Sequence, residues 1–175
     1  MSFNESLKEG LIGEGAITRW LIARGKSVLP AYQIEIPHGK GPRLFGNFGQ
    51  LVCPDLLAFD GLRTTWIEAK TKSAFVWHRK SQTWRTGLDT KHWLDYVQVS
   101  SVTPFPVWIL FLHRNGFLAK NTPEGMRSPC GLFGNSIKQL ELTVEHQMTN
   151  EGGSKMVYWR ESSLKFLAEY RELVP

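Results

Sequence analysis

The stretch PDLLAFDGLRTTWIEAK, residues 54–70, reads as two β-strands joined by a tight turn, with three charges on segments otherwise rich in Leu, Ile and Phe. Side chains alternate across a strand, so Glu68 and Lys70 share one face while Ile67 and Ala69 take the other. A two-residue turn at Gly61-Leu62, with glycine first as a type II′ turn prefers, pairs Asp60 with Arg63 and so sets Asp55 opposite Glu68. Moving the turn to Asp60-Gly61 slides the register by two and keeps all three charges together; a three-residue turn sends Asp55 to the other face. Like charges directly opposite each other destabilise a strand pair. Either the group lies in water as weak surface ion pairs, or it meets a divalent cation, a hard ion that takes oxygen ligands and commonly one or two carboxylates.

The rest of the chain is consistent with one domain. Its 175 residues, 42% hydrophobic and 21% charged, suit a single folded unit with its own core. No apolar run approaches the roughly 18 residues of a membrane span, and the N-terminus lacks the basic start and apolar stretch of a secretory signal, so an intracellular (cytoplasmic) protein is expected. Cys53 and Cys130 make neither a disulfide framework nor a C-x-x-C pair. The nucleophile elbow G-x-S-x-G, the phosphate loop G-x-x-x-x-G-K-[ST] and the zinc motif H-E-x-x-H are absent, and Gly39, Gly41, Gly46 and Gly49 do not follow a dinucleotide-binding spacing.

Local patterns predict a helix over about 5–24, a strand over 27–36, a Gly-rich basic loop over 37–49, and strands over 50–59 and 64–71. A helix follows over 89–101, capped by Asp89 or Thr90, and then a doubly buried strand over 105–113. Beyond residue 116, KQLELTVEH and KMVYWR read as a hairpin through NEGGS, and ESSLKFLAEYREL as a closing helix. The predicted class is α/β: one domain over 1–175, a central mixed sheet flanked by helices, its core at about 5–113 and its C-terminal hairpin and helix an elaboration at about 116–175. On the first helix, Leu7, Leu11, Ile17 and Leu21 form an apolar stripe with Glu14 in the middle, a carboxylate among core-facing residues; Glu9 falls on the opposite, solvated side.

Pro54-Asp55 followed by Glu68-Ala69-Lys70 resembles the signature of the PD-(D/E)xK nuclease superfamily. GLIGEGAITRWLIARGKSVLP is similar to the opening helix of archaeal-type Holliday junction resolvases, in which a Gly-Glu step brings an acid to the site, and the order of elements over about residues 8–113 matches that family. The resemblance implies a restriction-endonuclease-like core and hydrolysis of DNA by water, leaving a 5′-phosphate and a 3′-hydroxyl. It implies Mg²⁺, with Mn²⁺ as a substitute, held by Asp55, Glu68, the backbone carbonyl of Ala69 and Glu14, with Lys70 acting on the attacking water or on the charge of the transition state. It implies a homodimer on branched DNA such as a four-way junction. The segment SAFVWHRKSQTWRTGLDT and everything past about residue 115 have no match in that family, and neither does its loop serine. A restriction-type or repair endonuclease of the same superfamily and a noncatalytic DNA-binding module remain alternatives.

Charge supports a DNA partner. Lys and Arg total 21 against 16 Asp and Glu, a net of +5. From Arg63 to Lys91 inclusive there are seven Lys or Arg and only two acids, Glu68 and Asp89. His38, Lys40 and Arg43 in the Gly-rich loop, then Lys72, Arg79, Lys80 and Arg85, are candidates for backbone phosphate contacts. Trp77 and Trp84 are candidates for stacking on unpaired bases or, equally, for core packing. Tyr96 and Gln98 on the second helix are candidates to face the site.

Overall fold

The computed structural model describes residues 3–31, 42–116, 122–149 and 155–173. In chain order the elements begin with α1 (Phe3–Ala23), β1 (Ser27–Pro30), β2 (Arg43–Gly46), β3 (Gly49–Val52), β4 (Leu56–Asp60) and β5 (Arg63–Lys72). They continue with β6 (Val76–His78), β7 (Thr83–Asp89), α2 (Thr90–Val102), β8 (Val107–His113), β9 (Gly131–Ser136) and α3 (Ile137–Leu142). The last are β10 (His146–Thr149), β11 (Lys155–Arg160), a 3₁₀ turn at Glu161–Ser163, β12 (Lys165–Ala168) and α4 (Tyr170–Leu173).

The hairpin over 54–70 folds in the register that the Gly61-Leu62 turn dictates. Asp60 pairs with Arg63, and Gly61 takes the positive φ of +58° required at the first turn position. Around it a six-stranded sheet forms in the order β1-β4-β5-β8-β9-β12. β5 and β8 run parallel and every other pair is antiparallel, so the sheet is mixed. The parallel pair needs a crossover, and β6, β7 and α2 supply it.

Both faces of the sheet are covered. On one side Ala16, Ile17, Trp20 and Leu21 of α1, at helical spacing, pack with Leu56, Ala58, Ile67, Leu110 and Leu112; Leu173 of α4 joins them. On the other, Trp93, Tyr96 and Val99 of α2 and Leu140 of α3 pack with Trp66, Ile109 and Phe111. A second sheet, β10-β11-β7-β6, closes this side, with Trp159 of β11 fully buried and its Nε1 donating to the Leu140 carbonyl at 2.9 Å. Asp89 caps α2 by accepting from the Lys91 N–H at 2.8 Å, as its position predicts.

Several elements depart from the sequence expectation. The second half of the Gly-rich loop is the β2–β3 hairpin, and the strand expected over 50–59 breaks at Cys53-Pro54-Asp55, since proline cannot donate to a ladder. KQLEL is helix α3 rather than strand, and only His146–Thr149 pairs with β11. The expected closing helix is a 3₁₀ turn, a strand and one helical turn, because Phe166 and Ala168 pair with β9. Residues past 116 thus supply β9 and β12 to the central sheet. Leu11, placed on the apolar stripe of α1, is 58% exposed. The strand expected over 32–36 and the NEGGS turn lie outside the described residues.

Candidate active site

The site sits where β4 and β5 part. Their pairing ends at Leu56 with Ile67, and β5 runs on for five residues while the chain before β4 turns away at Pro54. In place of a strand partner, the Asp55 side chain accepts the Ala69 N–H at 3.0 Å, and the Asp55 carbonyl accepts the Ala31 N–H at 2.8 Å. A strand residue's N–H and C=O leave on the same side, so the Ala69 carbonyl also faces this notch.

Alternation fixes the face. Leu57 and Trp66 pack into the core on the α2 side, while Leu56 and Ile67 pack beneath α1, so Glu68 and Lys70 belong to the α2 side, and Asp55, past the end of the ladder, meets them from the notch. The two carboxylates do meet. Glu68 is 0% exposed; the Lys70 ammonium abuts Oε1, and the Asp55 carboxyl and the Tyr96 hydroxyl lie against the same carboxylate. Burial, and then the Glu68 carboxylate beside it, push the Asp55 pKa up to about 7, against the pull of Lys70 and the Ala69 N–H. Burial alone would pull Lys70 down, but Glu68 and Asp55 outweigh it and leave its pKa raised.

Glu14 reaches the notch from the opposite side of the sheet. Gly13 of α1 lies against Thr71, and the half-buried Glu14 feels both Asp55 and Lys70; its pKa is raised by burial first and by Asp55 second. No group of three or more His, Cys, Asp or Glu side chains placed to hold one ion occurs among the described residues, so the close acidic pair is Asp55 and Glu68.

From α2, Tyr96 is buried on the face that looks at the carboxylates: burial, then Glu68 and Asp55, raise its pKa strongly. Gln98, two positions on, is exposed and directed away from that face, so α2 contributes Tyr96 and not Gln98. His92, one turn earlier, is a residue the sequence reading passed over. Its ring centroid lies 6.3 Å from that of Tyr96, and burial followed by the Lys70 charge lowers its pKa. The signal was the H-x-x-x-Y spacing, which puts two side chains on one helix face.

The basic candidates separate. Lys72 continues the face of Lys70 and is half-buried, its pKa drawn down to about 8 by burial and by Lys70. Arg43 is half-buried at the start of β2. Arg79 and Lys80 are exposed at the tip of the β6–β7 hairpin. Arg85 is no surface cation: it is 6% exposed, paired with Glu145 at 2.6 Å and bonded to Ser81 Oγ at 3.1 Å. Trp77 and Trp84 are cross-strand partners, edge to face at 4.9 Å. His38 and Lys40 lie outside the described residues.

No protein-family model and no curated protein matches the sequence. Among solved structures, the fold is similar to the 1.6 Å structure of Hjc, a Holliday junction resolvase from the archaeal hyperthermophile Archaeoglobus fulgidus. The match covers 88% of this chain and 90% of that one, with a TM-score of 0.51 and 14% sequence identity. The α/β architecture, a central mixed sheet flanked by helices, thus matches the fold of that structure. Among the described residues no helix is long and apolar enough to cross a membrane.

Proposed function

We propose that the protein is a divalent-metal-dependent DNA endonuclease of the PD-(D/E)xK kind, acting on branched DNA such as a four-way junction. The observation that carries this reading is Glu68, a fully buried carboxylate set beside Asp55, with the single ammonium of Lys70 between two acids. Two desolvated carboxylates side by side repel, and a hard divalent cation is the partner that such a donor set fits.

Asp55 and Glu68, with the Ala69 carbonyl on the same notch, would hold Mg²⁺ or Mn²⁺, and Glu14 is placed to hold water in its shell. When bound, the ion would polarise the phosphate and neutralise charge on it. The protein's own groups supply the rest. The Ala69 N–H fixes the rotamer of Asp55. Lys70, kept as an ammonium by the two acids, is a donor to a phosphoryl oxygen or to the attacking water rather than a proton acceptor. Water attacks phosphorus in line and the P–O3′ bond breaks. The proton given up by the attacking water is balanced by the one taken up at the 3′ oxygen, leaving a 5′-phosphate and a 3′-hydroxyl. Lys72, next along the strand, is set to meet a neighbouring phosphate.

Paired nicks across a junction require two sites related by a two-fold axis, so a homodimer accompanies this reading. A cleavage assay on four-way junction, flap and linear duplex DNA, with and without Mg²⁺, tests it. Metal-dependent nicking of the junction that disappears in Asp55→Asn, with binding retained, is the expected result. Cleavage by Asp55→Asn at the wild-type rate would refute the site; equal cleavage of linear duplex would move the substrate to the restriction or repair class.

A further inference from the structure

The β6–β7 hairpin carries a feature that phosphodiester chemistry does not use. Beside it lies a cavity of about 300 Å³ whose lining includes Trp77, Trp84, Gln82, Met126, Arg160 and Glu161. The tryptophans meet edge to face at 65°, which leaves ring surface toward the cavity; both are only partly buried, and Trp84 is anchored on the core behind it. Arg160 engages Glu145 through Nε, while its side chain remains 48% exposed.

Gln82 is the telling residue. It is the one non-glycine with positive φ among the described residues, at +50°, at the last turn position before β7. Glycine takes that conformation freely and a side chain there is strained, so the turn alone gives no reason for glutamine. Strained residues that persist cluster at binding sites. Here the residue in that conformation is exposed and lies on the lining of the pocket that holds both tryptophans.

We infer that this pocket binds a single unpaired nucleobase, stacked on Trp77 and read at its edge by the Gln82 carboxamide. Volume, aromatic wall and amide together suit a base: every base has a π-face, and a glutamine amide pairs with adenine at N6 and N7. Arg160 at the edge is placed for the phosphate of the same nucleotide. Trp77 lies nine residues along the chain from Glu68, so the two are separated by at most about 30 Å. That is within one turn of duplex, about 34 Å, so DNA seated at the acidic notch can present a displaced base to the hairpin. The inference rests on the DNA reading above and narrows its substrate to DNA with unpaired bases.

The test is binding of the full chain, without divalent metal, to a labelled duplex carrying one bulged adenine and to the same duplex fully paired. Wild type should prefer the bulge by about tenfold. Trp77→Leu and Gln82→Gly should each reduce the preference to about twofold or less while leaving affinity for the paired duplex unchanged. Gln82→Gly relieves the strained turn, so its melting temperature should not fall, which separates a lost contact from a lost fold. Equal binding of the two duplexes by wild type, or a preference that survives both substitutions, overturns the inference. Mg²⁺-dependent nicking by wild type, measured in parallel, separates the failures: nicking without bulge preference sinks the pocket alone, and neither nicking nor binding sinks the nuclease reading with it.

Discussion

Gly13 of α1 stands so close to β5 that a β-carbon on it would lie 1.7 Å from Thr71 Oγ1 and 3.0 Å from its Cβ. This contact sets how deeply α1 seats on the sheet, and the next residue, Glu14, is the one that reaches Asp55 and Lys70 around the notch. Alanine is the better helix former by about 1 kcal/mol, but an overpacked contact costs roughly 1–3 kcal/mol. The clash should win. Gly13→Ala should lower stability in denaturant titrations, and adding Thr71→Ala, which removes Oγ1, should recover part of the loss in a double-mutant cycle. Additive losses would show that the two residues do not share a contact.

Glu68→Gln removes one acid of a repelling buried pair and keeps its shape. In EDTA the variant should melt higher than wild type, because Asp55 no longer faces a second carboxylate. With Mg²⁺ the order should reverse, and nicking should fall by about 100-fold or more. A variant less stable than wild type in EDTA would mean that the Lys70 ion pair with Glu68 outweighs the repulsion between the two acids.

Asp55 sets a pH dependence with a definite sign. Its folded pKa, about 7, lies above its unfolded value, so the folded state holds the extra proton between them. The contribution is fully present below about pH 4 and is lost as pH rises through about 7 in the metal-free protein. Chemical denaturation in EDTA at pH 5 and pH 8 should therefore show Asp55→Asn gaining on wild type as pH rises. Binding of Mg²⁺ to the ionised pair, as proposed, should at saturation remove that gain.

His113 works in the opposite direction. It is 0% exposed, the Ala74 backbone is its hydrogen-bonding neighbour, and its ring stacks on Phe75 at 3.6 Å. Burial, with Lys72 nearby, brings its pKa down to about 3, so the unfolded state binds the extra proton and stability is lost as pH falls below about 6.5. His113→Phe keeps the stack and cannot be protonated. Between pH 6.5 and pH 4 wild type should lose roughly 3 kcal/mol relative to this variant in urea titrations.

The site was legible where one local rule decided it. Gly61 fixed the turn, the turn fixed the register, and the register brought Asp55 and Glu68 together. The break at Pro54 was legible too, yet it was overlooked in favour of one long strand. What strand and helix periodicity could not reveal was partnership at long range. Phe166 belongs to a strand because β9 lies beside it, and LKFLAEY has a helical spacing of apolar residues that this pairing overrides. Arg85 reads as a surface cation until Glu145, sixty positions away, is folded against it. The packing constraint on Gly13 comes from Thr71, on a strand whose docking no helical wheel can show.

The pairing of β12 with β9, and of β11 with β7, has a consequence for biogenesis. The second sheet waits for β11, ending at Arg160, and the central sheet for β12, ending at Ala168, while the outer edge of β8 stays open until β9, Gly131–Ser136, has been delivered. Its run Val107–His113 is almost wholly apolar, the kind of segment that chaperones hold, and nascent chains stalled before β9 should be the ones they retain.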